Sequence, residues 1–216
     1  MHKVMVAILK GYREWTEELG SDREWKIQLV QASIEKIASE EAAKCNSFYV
    51  PHRKDVLIFL ANGVEEECLR EVISKIEKVS PVPVETSIGC GSTPLSALRG
   101  ESRKCEGSDV AVVHIDLNYF SKDEIYSAYV RAMNNYSTLL NLFLGVGGIG
   151  AYLGGDNFVF FIDPKDLHII DEVKMILKDA KIGVGIGKNP REALSKAASS
   201  LKFLRENRNL RSYLIQ

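Results

Sequence analysis

The sequence lacks any apolar run that approaches the length of a membrane-spanning helix. Its first apolar stretch, Val4 to Leu9, is too short for a signal sequence and runs into charged residues. It also lacks an excess of either charge, since 28 basic and 29 acidic residues leave a formal net charge of −1. That balance argues against a nucleic-acid-binding surface. We therefore expect a cytoplasmic protein that engages neither membranes nor nucleic acid.

Cysteine is scarce and shows no metal-binding pattern. The sequence has four cysteines, at Cys45, Cys68, Cys90 and Cys105. They lie far apart, without the paired spacing of a zinc site, and no histidine cluster accompanies them. The pattern argues against zinc and favours reduced thiols, which are the usual state of cytosolic cysteine.

The two halves of the chain have the same order of predicted elements: strand, helix, hairpin, helix, strand and a further helix. Thr93-Pro94 and Asn189-Pro190 predict matching helix starts, and Ser21 with Glu24 predicts a capping box. The predicted fold is α+β, with two tandem ferredoxin-like or palm-type βαββαβ units that have helices on one face of each antiparallel sheet. We place the first unit at 1–100, a linker at 101–108 and the second unit at 109–216.

A row of glycines distinguishes the last predicted strand of the second unit. Gly183, Gly185 and Gly187 alternate with apolar residues, so one face of that strand has no side chains. Such a row is typical of close approach by a ligand or by another backbone. Packing between the two halves, or between subunits, explains it equally well.

Two acidic residues stand at the ends of predicted strands in the second half. In the strand 110–117, apolar residues alternate with His114, Asp116 and Asn118, which places these polar side chains on one face that we expect to be open. The tip Gly154-Gly155-Asp156-Asn157 is typical of a tight hairpin. If the two elements are neighbours, Asp116 and Asp156 converge, and close carboxylates repel unless a cation lies between them. Mg²⁺ binds carboxylate oxygens together with phosphates, so we expect these acids to be its ligands.

Other candidate residues have two interpretations each. His114 is a general acid/base or a structural histidine, since its unperturbed pKa lies near neutrality. Lys202 and Arg205 can reach phosphates, or they only favour the helix dipole. Tyr119 and Phe120 can stack on a base, or they fill the core.

The whole chain resembles the archaeal GTP cyclohydrolase III family, whose fold is related to the palm of nucleotidyl cyclases and GGDEF domains. The first half carries short matching strings in Tyr12-Arg13-Glu14-Trp15-Thr16-Glu17, Asp22-Arg23-Glu24-Trp25 and Arg53 with Asp55. The second half carries His114-Ile115-Asp116, Ser127-Ala128-Tyr129, Gly154-Gly155-Asp156-Asn157, Val184-Gly185-Ile186-Gly187 and Leu201-Lys202-Phe203-Leu204-Arg205. Their order and spacing make the resemblance specific.

The resemblance implies hydrolysis of GTP to 2-amino-5-formylamino-6-ribosylamino-4(3H)-pyrimidinone 5′-phosphate and two phosphates, on routes to riboflavin and deazaflavin cofactors. It implies Mg²⁺ as cofactor, in one or two ions, with a monovalent cation as a further candidate, and a homo-oligomer. We expect His114, Asp116 and Asp156 to be catalytic. The expected substrate-binding residues are Asn118, Tyr119, Phe120, Asn157, Lys202, Arg205, Arg53 and Asp55.

The first half departs from the family pattern. It has Lys10-Gly11 where the family has an acid, and Lys54-Asp55-Val56 in place of an aromatic-Asp-Asn hairpin tip. The second half retains every element, so we place the chemistry there. The alternatives are a palm-type nucleotide cyclase, which would leave the base intact, and a non-catalytic GTP sensor.

Overall fold

We describe a computed structural model of the chain, which covers residues 1–100, 105, 107–117 and 125–216. Most of the predicted linker, 101–108, lies outside these ranges, and the predicted domain boundaries stay a prediction. Within the described residues, no helix is both long enough and apolar enough to cross a membrane.

The first unit contains a four-stranded sheet with the order β2-β3-β1-β4, in which all neighbours are antiparallel. Its strands are β1 (His2–Leu9), β2 (Phe48–Val50), β3 (Val56–Leu60) and β4 (Val84–Gly91). Its helices are α1 (Tyr12–Glu18), α2 (Arg23–Lys44), α3 (Glu66–Glu77) and α4 (Pro94–Leu98), with a short 3-10 helix at Gly20–Asp22.

The second unit repeats this order and adds one edge strand. Its strands are β5 (Val110–Asp116), β6 (Ile149–Gly154), β7 (Asn157–Ile162), β8 (Lys181–Gly187) and β9 (Ser212–Ile215). Its helices are α5 (Ile125–Gly145), α6 (Ile169–Ile176) and α7 (Pro190–Glu206), with a 3-10 helix at Pro164–Asp166. The sheet order is β6-β7-β5-β8-β9, and β9 runs parallel to β8. The predicted α+β duplication is confirmed, while β9 was not predicted.

Two helices cover one face of each sheet, as predicted. In the first unit, Leu57 and Phe59 of the sheet pack with residues of α2 and α3. In the second unit, the odd-numbered residues of β5 pack with α5 and α6. The rings of Phe143 on α5 and Phe160 on β7 stack with their centroids 4.0 Å apart. These two apolar layers are the cores that the alternating patterns predicted.

The opposite faces are covered as well, which corrects the expectation of an open face. A third core lies between the sheets and includes residues of both units and of α4 and α7: Val4, Val50, Ile58, Leu60, Ala97, Val110, Val112, Val159, Phe161, Ala193 and Ala197. The ring of Phe48 lies 4.8 Å from that of Phe161 across this layer. Among the described residues, the centres of these faces are therefore closed to a ligand.

The glycine row lets α7 lie directly on β8. A Cβ at Gly185 would be 2.2 Å from the carbonyl oxygen of Ala193 and 2.4 Å from the amide of Ala197. A Cβ at Gly183 would be 2.4 Å from the carbonyl oxygen of Ala197. The glycine row therefore allows close approach of another backbone, that of α7 in the same unit.

Two equivalent hydrogen bonds join the units. The amide of Arg191 in α7 donates to the carbonyl of Asn46 at 3.4 Å, and the amide of Leu95 in α4 donates to the carbonyl of Gly147 at 2.9 Å. Both acceptors have a left-handed backbone, with φ of 59° at Asn46 and 72° at Gly147. Each unit thus receives the start of the other unit's last helix, as expected for a duplicated chain.

A buried polar chain is the second link between the units. His2 is fully buried, with its Nε2 3.0 Å from Asp163 Oδ2 and its Nδ1 3.1 Å from the side-chain nitrogen of Asn62. Burial lowers the pKa of His2, while the hydrogen bond to Asp163 opposes that shift. A neutral ring that donates from Nε2 and accepts at Nδ1 satisfies both nitrogens.

The cysteines are paired, so the prediction of reduced thiols is wrong. Cys45 at the end of α2 is bonded to Cys68 in α3, with a Cα–Cα distance of 5.8 Å. Cys90 in β4 is bonded to Cys105, with a Cα–Cα distance of 5.4 Å. Residues far apart in sequence meet because α2 and α3 pack side by side, which sequence spacing does not reveal.

We predict that Gly185→Ala destabilises the protein by about 1–3 kcal/mol, because the new Cβ would overlap the backbone of α7. Gly107→Ala is the matched control, since a Cβ there meets nothing within 4 Å. Guanidinium denaturation monitored by circular dichroism gives both values. Equal denaturation midpoints for the two variants would contradict the close packing of α7 on β8.

Candidate functional site

Strand β5 places His114 and Asp116 on the face opposite its helix-covered core. Val113 and Ile115 belong to the core with α5 and α6, whereas Val110 and Val112 belong to the core between the sheets. His114 and Asp116 continue this second set towards the end of the strand, as the period of two predicted. Asp116 is only 6% exposed, so a charge on this carboxylate needs partners.

The hairpin between β6 and β7 brings Asp156 beside the end of β5. Gly154 and Gly155 turn the chain with φ of 103° and 60°, values that favour glycine. Asn157 then lies directly opposite Asp116 in the antiparallel ladder. The amide of Leu117 donates to the carbonyl of Asp156 at 3.1 Å. The turn that carries Asp156 therefore lies beside the end of β5, where Asp116 stands.

Asn157 connects His114 to Asp156. Its side-chain nitrogen donates to Asp156 Oδ1 at 2.8 Å, and its oxygen lies 3.3 Å from His114 Nε2. Since that amide oxygen only accepts, Nε2 carries the proton in this contact. Burial lowers the pKa of His114, and the bond to Asn157 and the charge of Asp116 oppose the shift. The geometry presents a neutral imidazole with its Nε2 proton at the acidic end of the sheet.

Arg205 supplies a positive partner from α7. Its Nη2 donates to Asp116 Oδ2 at 2.8 Å. The Arg205 side chain is 64% exposed while that of Asp116 is 9% exposed, so the guanidinium can leave the acid at small packing cost. Lys202 lies one turn earlier on the exposed side of α7. Of the two predicted phosphate-binding residues, only Arg205 has a contact with Asp116 among the described residues.

Lys181 is a neighbour of this site that the sequence reasoning missed. It lies opposite Asp116 on β8, at the side away from Asn157. Its Nζ donates to the carbonyls of Arg208 and Leu210 at 2.8 and 2.5 Å. Its position as a basic residue at the start of the glycine-containing strand β8 was the sequence feature that could have indicated it. Lys181 fixes the segment between α7 and β9 rather than extending freely into the site.

Arg53 and Asp55 form a separate pair in the first unit. Arg53 donates to Asp55 through Nε at 2.9 Å and Nη2 at 2.6 Å. The hydrogen bond to Arg53 lowers the pKa of Asp55, although burial opposes the shift. The described contacts do not join this pair to Asp116. Asn118, Tyr119 and Phe120, the other predicted substrate-binding residues, lie outside the described residues.

The first unit has the same backbone at its equivalent position but different side chains. The amide of Leu9 donates to the carbonyl of Asp55 at 3.0 Å, which corresponds to the bond between Leu117 and Asp156. By strand register, Val6, Ile8 and Val56 of the first unit correspond to His114, Asp116 and Asn157. An apolar trio replaces the histidine, the buried acid and the amide. Only Asp55 retains its counterpart, Asp156.

The two carboxylates can accept a divalent cation, but they do not form a complete protein cage. Within the part of the chain described, no group of three or more acid, histidine or cysteine side chains could hold a metal. Mg²⁺ commonly uses one or two carboxylates and takes its other oxygens from water and phosphates. Asp116, buried beside the guanidinium of Arg205, and Asp156 in the adjacent hairpin turn fit that requirement.

Comparisons with known proteins identify the family of this chain. The family model described as GTP cyclohydrolase III matches residues 4–106 and 100–215. The chain belongs to the GTP cyclohydrolase III family. A protein named GTP cyclohydrolase III from Sulfurisphaera tokodaii is 38% identical over 210 residues, covering 94% of this chain and 93% of its own. The Saccharolobus solfataricus protein of that name is 33% identical over 221 residues, covering 95% of this chain and 96% of its own.

A solved structure of a bacterial light-regulated adenylyl cyclase can also be aligned with this chain. The alignment covers 99% of this chain and 85% of the cyclase chain. The TM-score is 0.37 and the identity 11%. Similarity at this level supports no conclusion about activity.

We predict that His114 titrates below the ordinary histidine value of about 6.5, because burial disfavours its charged form. Its neutral form is then stabilising above the unfolded pKa, and that stabilisation is lost as the pH falls through the unfolded value towards the folded one. Asn157→Leu keeps the site buried but removes the opposing hydrogen bond, so the pKa of His114 falls further. Ring-proton NMR across a pH series measures both. An unchanged titration in Asn157→Leu would contradict the contact, with Asn141→Ala on the exposed face of α5 as control.

Proposed function

We propose that this protein is a GTP cyclohydrolase that opens the imidazole ring of guanine, with its active site in the second unit. Family membership supports the substrate, since relatives of 31–38% identity over most of the chain bear that name. The cluster of Asp116, Asp156 and His114 supports placing the active site in the second unit. Two of the three counterparts in the first unit are apolar. One functional site per chain follows from this proposal.

We assign Mg²⁺, as one or two ions, to Asp116 and Asp156, and leave a monovalent cation as a further requirement to be tested. When bound there, Mg²⁺ would polarise phosphoryl oxygens and make a water molecule more acidic. Asp116 is held in place by the ladder of β5 with β7 and β8, and Asp156 by its bond from Asn157. These fixed backbone positions orient the carboxylates before a ligand arrives.

Arg205 is assigned to the triphosphate. Its guanidinium contacts Asp116 and its side chain is mostly exposed, and a guanidinium matches phosphate oxygens in charge and geometry. Lys202, one turn away on the same helix, is the second candidate for phosphate contact. The two carboxylates repel the negatively charged triphosphate. A positive charge from Arg205 or Lys202 would reduce that repulsion and let the phosphate oxygens approach the acids.

His114 is assigned to proton transfer during ring opening. Water adds across the C8–N7 double bond, so that C8 gains the oxygen and N7 gains a proton. The C8–N9 bond then breaks, the C8 hydroxyl loses its proton to become the formyl oxygen, and N9 gains a proton. A neutral His114 can deliver its Nε2 proton and recover one from the attacking water. Release of two phosphates consumes two further water molecules. The product of these steps is 2-amino-5-formylamino-6-ribosylamino-4(3H)-pyrimidinone 5′-phosphate.

Asn157 is assigned to recognition of the base together with Asn118. An amide side chain offers both a donor and an acceptor, the combination that a guanine edge requires and an adenine edge reverses. Asn157 already uses one donor on Asp156 and its acceptor towards His114. Its second N–H and the second lone pair of its oxygen remain for the base, so one side chain would couple base recognition to the position of the proton donor.

We predict that Asp116→Asn lowers GTP turnover by about 100-fold or more, because a neutral amide is a poor ligand for a hard cation. The assay incubates the protein with GTP and Mg²⁺ and follows the purine absorbance band and free phosphate together. Asp171→Asn changes an exposed carboxylate on α6 in the same way, and its turnover should match that of the unmodified protein. Undiminished turnover of Asp116→Asn would remove the metal assignment.

The same assay separates the alternative functions. Loss of the purine band with release of phosphate indicates ring opening. A retained band with release of pyrophosphate indicates a cyclase, and a retained band with bound but unchanged GTP indicates a sensor. The latter two results contradict the proposed activity.

We also predict that Arg205→Gln binds Mn²⁺, used as a calorimetric probe of the acid site, several-fold more tightly than the unmodified protein. The reason is that Arg205 is a positive charge 2.8 Å from Asp116 Oδ2, so its removal lessens repulsion of an entering cation. GTP affinity should fall in the same variant. Arg70→Gln, far from the acids on α3, should change neither value. Weaker Mn²⁺ binding in Arg205→Gln would contradict this placement of the cation.

A further inference from the structure

The segment between α7 and β9 is attached to the start of β8 by its carbonyl groups. The Nζ of Lys181 donates to the carbonyl oxygens of Arg208 and Leu210 at 2.8 and 2.5 Å. The amide of the next residue, Ile182, donates to the carbonyl oxygen of Arg211 at 2.8 Å. Two consecutive residues of β8 therefore hold three carbonyl groups of the chain that leaves α7.

Two side chains of the same C-terminal part are held as well. The Nη2 of Arg211 donates to the carbonyl oxygens of Lys174 and Leu177 at 3.0 and 2.6 Å. The ring of Tyr213 in β9 stacks on that of Phe203 in α7, with the centroids 4.2 Å apart. Because Phe203 belongs to the last turn of α7, β9 is joined to the end of this helix as well as to the sheet.

Lys181 is also a direct neighbour of the buried acid of the candidate site. It lies opposite Asp116 in the antiparallel ladder of β5 with β8, so the two side chains share one face of the sheet. The carbonyl groups that Lys181 binds belong to residues three and five positions after Arg205. Arg205 in turn donates to Asp116 at 2.8 Å. The end of α7 is thus bound to both members of one cross-strand pair.

The first unit has different residues and elements at these positions. By strand register, Ile8 and Glu85 lie opposite one another where the second unit has Asp116 and Lys181. Glu85 forms an exposed ion pair with Lys10. Helix α4 has five residues against seventeen in α7, and among the described residues the first sheet ends at β4. The lysine, the long helix and the added strand therefore accompany the buried acid.

The position of Arg205 depends on the backbone at the end of α7. Its side chain is 64% exposed, so packing does little to hold it at Asp116. The last carbonyl groups of a helix have no partner within the helix, and helix ends fray unless other contacts hold them. A lysine ammonium close to a helix C-terminus also interacts favourably with the helix dipole. Lys181 supplies such contacts just after α7.

We propose that Lys181 is a positioning residue of the candidate site, which holds the turn after α7 and so keeps Arg205 at Asp116. In the proposed function this contact presents the guanidinium to the triphosphate, and that part of the inference rests on the proposed function. The link from Lys181 through Arg205 to Asp116 does not, because it concerns only residues of this chain.

A double-mutant cycle on Mn²⁺ affinity, measured by calorimetry without GTP, tests this link. Lys181→Met should raise the affinity several-fold, as expected for Arg205→Gln, because release of Arg205 lessens repulsion of the entering cation. The variant with both changes should bind Mn²⁺ about as tightly as Arg205→Gln alone, since both changes act through one ion pair. No gain from Lys181→Met, or the same gain in both backgrounds, would overturn the proposal, because the latter indicates a direct effect of the lysine charge.

Hydrogen exchange followed by mass spectrometry gives a second measurement that needs no ligand. Amides in 203–210 should exchange faster in Lys181→Met, because the turn opens more often. Lys181→Arg, which keeps the charge and the donors, should restore both the exchange rates and the Mn²⁺ affinity. Unchanged exchange in Lys181→Met would contradict the positioning role.

Lys3→Met is the matched control. Lys3 of β1 also donates from Nζ to a backbone carbonyl, that of Val64 at 2.5 Å, but it belongs to the first unit. Its replacement should change neither the exchange of 203–210 nor the Mn²⁺ affinity, and a change equal to that in Lys181→Met would overturn the proposal. GTP turnover of the unmodified protein, assayed separately, decides the proposed enzyme activity and does not enter this test.

Discussion

The contact between α7 and β8 is the constraint on which the candidate site depends. The backbone of the helix lies against a strand that presents only glycine on this side, because a single added carbon at Gly185 would overlap Ala193. This close packing carries α7 along the sheet to Arg205, whose guanidinium then reaches Asp116. A larger residue in the strand would raise the helix and separate the cation from the acid. The glycines are therefore part of the site, although they touch no reacting group.

Duplication gave the chain two similar frameworks, and their side chains have diverged. Both units keep the hairpin bond, through Leu9 in one and Leu117 in the other. The first unit has Ile8 where the second has Asp116. The retained backbone explains why both units still receive the other's helix start, since the two equivalent bonds join a backbone amide to a backbone carbonyl. Chemistry could be lost from one copy without loss of the assembly.

Much of the site could be predicted because it rests on short-range rules. The period of two placed His114 and Asp116 on one face, and the glycine turn placed Asp156 next to them. Longer-range features were missed. The pairing of Cys45 with Cys68 depends on helix packing, and β9 is a short strand that forms only on the edge of β8.

Two other expectations, a capping box at Ser21 and an open sheet face, were wrong. The capping box predicted at Ser21 does not form, because Gly20–Asp22 is a 3-10 helix and Asp22 precedes α2. The face expected to be open is covered by α7 and by the other unit. Sequence periodicity shows which side chains share a face, but what lies on that face depends on the whole chain.

The disulfides are distributed unequally between the two halves. Cys45, Cys68 and Cys90 belong to the first unit and Cys105 to the segment that follows it, while residues 109–216 contain no cysteine. A disulfide reductant or a thiol reagent can therefore act on cysteine only in the first unit and the segment that follows it. The acid-bearing half has no redox chemistry of this kind, and its geometry responds to such agents only through the shared core.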